Sequence, residues 1–85
     1  MYDFFIKEYL KKLTVQDVLE YAKKKNYPLD EIEATILLIY AKKHADTLIH
    51  GDPTDIFKEL KEKIKPETYK EVYRLYIEYK LKYLT

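Results

Sequence analysis

The chain has 85 residues, 36% of them charged, and its 16 basic and 15 acidic side chains leave a formal net charge of +1. That balance offers little long-range attraction for a polyanion, and the lack of cysteine removes thiolate catalysis, disulfides and thiolate-held zinc together. One glycine and three prolines among 47% hydrophobic residues starve β-turns and favour helices, so the expected fold is all-α, a single helical domain over 1–85.

From Tyr2 to about Lys12, the positions Phe4, Phe5, Tyr9 and Leu13 recur near the helical period and mark the expected buried stripe of a first helix. Asp3 stands near its electropositive N-terminal end. In "LTVQDVLEYAKKKNY", Thr14 and Asp17 form a capping-box pattern that satisfies first-turn amides, and a second helix follows. Its stripe is Val15, Val18, Leu19 and Ala22, and Lys23, Lys24 and Lys25 occupy the last turn, where the helix dipole favours cations.

Asn26, Tyr27 and Pro28 interrupt the pattern, and Asp30 with Glu33 opens the most apolar helix. Ile32, Ile36, Leu37, Ile39 and Tyr40, with Ala34 and Leu38 wrapping further round, predict a central helix covered on more than one side. It ends between Lys43 and His50, and His44 to Asp52 reads either as its extension or as a connection, with the break favoured. Gly51 suits a left-handed helix end, Asp52 a cap, and Pro53 a first helical position, since it has no amide to leave unpaired.

The next helix, in "PTDIFKELKEKI", buries Ile56, Phe57, Leu60 and Ile64, and Pro66 opens a long last helix expected to pack on the apolar third. The whole is then a compact bundle of four to five helices with a long C-terminal helix.

Five of the ten tyrosines fall within "YKEVYRLYIEYKLKYL", residues 69–84. At helical spacing Tyr69, Val72, Tyr73, Tyr76, Ile77 and Tyr83 share an arc, with Tyr79 at its edge, which makes the stripe a core whose phenolic tips reach water. Leu75 beside Tyr79 and Tyr83 widens that arc beyond what one neighbouring helix covers. These three are the candidate partner contact or dimer seam, set against ordinary packing on the first helix.

Aromatics among cations also describe a single-strand nucleic-acid platform. Glu67, Glu71 and Glu78 interrupt Lys70, Arg74, Lys80 and Lys82, however, and carboxylates beside a phosphate track lower affinity. The second and third helices, joined around "NYPL", outline a helix-turn-helix. Asp30, Glu31 and Glu33 occupy the turns that would meet phosphates, so a structural helix pair is the simpler reading.

His44, Asp46, His50 and Asp52 hold metal-ligating types, but the histidines lie six apart and would point to nearly opposite sides of one helix. No metal or other cofactor is expected. The Lys23 to Lys25 run reads as a solvated last turn. No nucleophile elbow, P-loop or serine triad is present, and the carboxylates lack a visible pocket, so the chain is not expected to be an enzyme.

"LTVQDVLEYAKKKNYPL", "GDP" and "KIKPETYKEVYRLY", in that order, resemble the YqfT-like family of small uncharacterised proteins from Gram-positive bacteria, over about Phe4 to Tyr79. "KKHADTLIH" departs from the pattern. The resemblance implies an all-helical cytoplasmic protein and carries over no functional residue. The residues themselves point the same way: with no signal peptide and no membrane span visible, the expected location is the cytoplasm. The expected role is a non-enzymatic protein-interaction or regulatory module whose partner is another protein or a second copy (a homodimer). Nucleic-acid binding through the helix pair or the last helix is the alternative.

Overall fold

The computed structural model describes residues 2–83, and the side chains of residues 4–82. Six helices follow one another: α1 (Tyr2–Lys12), α2 (Val15–Lys24), α3 (Glu31–Lys43), α4 (Ala45–His50), α5 (Thr54–Lys63) and α6 (Pro66–Tyr83). Among the described residues there is no strand. The all-α fold and the long last helix are as the sequence predicts, and the helix beyond the expected number is α4, within the stretch left open between extension and connection.

Local chemistry explains most of the boundaries. Thr14 and Asp17 form the predicted capping box: the Asp17 amide donates to Thr14 Oγ1 at 3.1 Å, and the Thr14 amide to Asp17 Oδ2 at 3.0 Å. At the other end of α2, Asn26 takes a left-handed φ of 60°. Its amide donates to Lys23 O at 3.0 Å and that of Tyr27 to Ala22 O at 2.9 Å, the paired bonds of a Schellman ending. Asp30 caps α3 by accepting the Glu33 amide at 2.7 Å.

Two details differ from expectation. The only left-handed residue among those described is Asn26 rather than Gly51, whose φ of −108° is extended. Gly51 is instead a close-approach position, because a Cβ there would lie 3.3 Å from Thr47 Cα and O. Pro53 precedes α5 rather than opening it, and Asp52 Oδ1 accepts the Thr54 amide at 3.0 Å, so the predicted capping carboxylate acts from one residue further out.

Phe57, Leu60 and Ile64 of α5 form the buried core, with Ile36, Leu37 and Tyr40 of α3, Leu48 of α4, and Tyr69, Val72 and Tyr76 of α6 packed against it. The buried cluster is thus built on α5, while α3 packs on α1, α2 and α4 and meets that cluster, a central helix covered on more than one side as the sequence predicts. Ile36, Leu37 and Tyr40 face the core, whereas Ile32 is 74% exposed and Ile39 is also exposed. An all-round apolar helix has no preferred face of its own, and its neighbours decide which side is covered.

The predicted stripe of α1 is likewise displaced. Phe4, Phe5 and Tyr9 are each 63% exposed; Leu13 is half-buried as predicted, and the other half-buried apolar positions are Ile6 and Leu10. This helix lies on α3 and α4, tied there by an ion pair from Lys7 to Asp46 and by Lys42 Nζ donating to Lys11 O at 3.3 Å.

Where α6 begins, a buried polar knot joins three parts of the chain. Glu33 of α3, 5% exposed, accepts the Lys65 amide at 2.7 Å and the Thr68 hydroxyl at 2.9 Å. Thr68 Oγ1 also lies 2.5 Å from the Tyr27 hydroxyl, in the loop after α2. A carboxylate at the positive end of α6 thus replaces the local cap that Lys65 cannot provide.

Candidate functional site

The tyrosines of α6 surround Phe57. Tyr73 stacks on its ring with centroids 5.1 Å apart and planes 23° from parallel, Tyr76 is tilted at 5.2 Å, and Tyr69 meets it edge-on at 6.2 Å. The rings are thereby engaged with one another, and bases stacking on them would have to displace Phe57. Arg74 is held between Glu71 at 2.9 Å and Glu78 at 3.1 Å, and these carboxylates raise its already high pKa and offset its charge. Both features weaken α6 as a phosphate track.

The helix pair offers no better surface for DNA. Glu33 faces Lys65 and Thr68, while Asp30 Oδ2 lies 3.8 Å from Lys65 Nζ, so the start of α3 is occupied by its contact with α6. His44 is half-buried with its ring 5.7 Å from that of Tyr40, and His50 is exposed at the end of α4. Among the described residues, no group of three metal-ligating side chains is placed to hold an ion.

The distinctive surface is an apolar groove of about 440 Å³ that separates α1 from α6. One wall is formed by Phe5, Ile6, Tyr9 and Leu10 of α1, the other by Tyr76, Tyr79 and Lys80 of α6. Ala41 and Ala45, with Leu48 and Ile49, make the floor, and the two alanines keep it low. A second apolar cavity, about 260 Å³, runs between α3 and α6 and shares Ala41, Leu48, Tyr76 and Tyr79 with the groove. The apolar surface is thus continuous from the exposed edge of α1 towards the core.

Tyr76 stands where the two meet. Its hydroxyl donates to Leu48 O at 2.5 Å, Lys80 Nζ lies 5.8 Å from the centre of its ring, and burial raises the phenol pKa above its ordinary value. The arrangement holds a polar tip inside an apolar wall and leaves the ring face as lining.

Of the three contact residues named from sequence, Leu75 is half-buried and Tyr79 is 49% exposed. Tyr79 lines the groove, and with Leu75 it also lines a smaller hollow beside Tyr21 of α2 and Lys25 just after it. Tyr83 ends α6, and its side chain lies outside the described ones. The wide apolar flank of α6 is not spent on α1, which stands across the groove. Phe5, Tyr9, Ala41 and Ala45 were missed as site residues because the α1 pair reads as core, and the alanines matter only for what they leave unfilled.

Fold and groove define a small all-helical protein with an open apolar slot between its first and last helices, and no helix among the described residues is long and apolar enough to cross a membrane. The chain belongs to the family described as a protein of unknown function, DUF2624, whose model matches residues 1–80. Neither a curated protein nor a solved structure matches it.

Proposed function

We propose that the protein is a non-enzymatic interaction or regulatory module of the cytoplasm, and that the groove between α1 and α6 is its protein-binding surface. The proposal includes the likeness to the YqfT-like group of Gram-positive bacteria, which adds no activity to it. The single observation that carries the reading is the continuous apolar lining of the groove beside Phe5 and Tyr9, both 63% exposed. Large rings kept in water next to a concave apolar floor are unfavourable for an isolated soluble domain and are stabilised by a covering partner. An aromatic edge beside a pocket is also the usual composition of binding hot spots.

The test is capture from the host lysate with the wild-type chain and with Tyr9→Glu as baits, with and without nuclease. A protein retained by the wild type after nuclease and lost from Tyr9→Glu is the expected result. Retention that is equal on both baits removes the groove from the reading. Material released wholly by nuclease, with binding that falls steeply with salt, replaces it with the nucleic-acid alternative.

A further inference from the structure

We infer that the groove takes a single-chain anionic amphiphile of the fatty-acid type, with its alkyl tail along the Ala41 and Ala45 floor and its carboxylate at Lys80. The inference goes beyond protein binding and does not depend on it, since the exposed rings of Phe5 and Tyr9 stay at the rim.

Size and lining select the tail. At about 440 Å³ the groove has the dimensions of a small-molecule site, and the cavity that shares Ala41, Leu48, Tyr76 and Tyr79 with it carries the apolar surface on towards the core. A peptide entering to that depth would bring backbone N–H and C=O groups against alkyl and ring carbon, where each unpaired group costs free energy. The Tyr76 hydroxyl gives no relief, because it already donates to Leu48 O at 2.5 Å. An alkyl chain makes no such demand, and each methylene it buries adds to binding.

Lys80 selects the head. It is the one charged residue of the lining, it is half-buried, and its Nζ lies 5.8 Å from the centre of the Tyr76 ring. The acid nearest to this in the structure is Asp52, which shares the adjoining hollow with Lys80 and is engaged by the Thr54 amide and hydroxyl. A cation beside an apolar slot whose lining includes no carboxylate favours an anionic head over a neutral or cationic one. The tail and head requirements together describe a molecule with one apolar chain and one negative end.

The experiment is isothermal titration calorimetry of the full chain at neutral pH with octanoate, decanoate and dodecanoate, each below its micelle concentration, and with dodecyltrimethylammonium as the cationic match in chain length. Each carboxylate should occupy a single site per chain, with affinity rising by up to about fourfold per added methylene. The ammonium should bind at least about tenfold more weakly than dodecanoate. Lys80→Met, which removes the charge and keeps an unbranched side chain, should cost dodecanoate about tenfold in affinity and narrow its advantage over the ammonium. Lys63→Met, exposed on α5 and outside the lining, should bind as the wild type does. Ala45→Leu should raise the floor and weaken every carboxylate, and the nuclear magnetic resonance methyl signals of Ala41 and Ala45 in the wild type, which should shift on adding dodecanoate, place the ligand without any substitution. Lack of dodecanoate binding overturns the inference, as do equal affinity for the ammonium, alanine methyl signals that ignore the bound acid, and association with phosphatidylglycerol vesicles in place of the free acid.

Discussion

Glu33 shows how much one side chain can carry in a domain of this size. Its carboxylate accepts from the Lys65 amide and the Thr68 hydroxyl, and Thr68 in turn meets Tyr27, so one acid links the loop after α2, the start of α3 and the start of α6. Glu33→Ala leaves two donors in a nearly dry site, and a loss of about 2 kcal/mol or more in unfolding free energy is expected by urea denaturation. Glu31→Ala, two residues away and exposed, should change stability by no more than about 0.5 kcal/mol. Equal effects would show that the buried knot adds nothing to the ordinary helix-start preference for acids. In the sequence, Glu33 reads only as an acid of the first turn, because its real partners lie 32 and 35 positions further along the chain.

At the scale of the element, α1 and α5 contrast. The stripe of α5 is read correctly from its spacing, since Ile56, Phe57, Leu60 and Ile64 are all buried. In α1 the period also identifies the helix, but apolar residues occupy so much of its circumference that Phe4, Phe5, Tyr9 and Leu13 compete with Ile6 and Leu10 for the inward face. Ile6, Leu10 and Leu13 are the half-buried ones, and the rings of Phe4, Phe5 and Tyr9 stay exposed. Ile6→Ala should therefore destabilise the dilute protein by about 1 kcal/mol or more, and Phe5→Ser by less than about 0.5 kcal/mol. Thermal unfolding of the two variants checks the assignment, and the reverse order would restore the stripe read from sequence.

The start of α5 supplies a pH dependence. The Thr54 hydroxyl and amide hold the Asp52 carboxyl below its ordinary pKa of 3.8. A group whose folded pKa is depressed contributes stability that is present above the unfolded value and is lost as pH falls through the folded one. Stability is thus expected to decline below about pH 4, in part through this cap, and Asp52→Asn should make that decline shallower. Urea midpoints measured from neutral pH down to the acid limb decide the matter. An unchanged acid slope in the variant would show that the cap gives no pH-dependent stability.

For the molecule as a whole, the proposed role of the groove would tie stability to association. If a second copy covers it, mass action stabilises the folded state, and the melting temperature of the wild type should rise with protein concentration. Tyr9→Glu should remove that dependence while melting near the dilute wild-type value, because its ring already faces water in one chain. Calorimetry across a concentration series reads both effects. A wild-type melting temperature indifferent to concentration, with Tyr9→Glu melting at the same point, would disconnect the groove from self-association.

The sequence by itself determined the all-helical class, the break after α2, the Thr14 and Asp17 cap, the Asp30 cap, the buried face of α5 and the phenolic character of the α6 stripe. Each of these rests on bonds or spacings within a few residues, where the chain carries its own geometry. Only the tertiary structure decided that the buried cluster is built on α5, that Ile6 and Leu10 are half-buried while Phe5 and Tyr9 stay exposed, that Glu33 caps a helix 33 residues away, and that α1 and α6 stand apart across a groove. These outcomes depend on which distant surfaces compete to cover an apolar face, and local periodicity does not contain that competition.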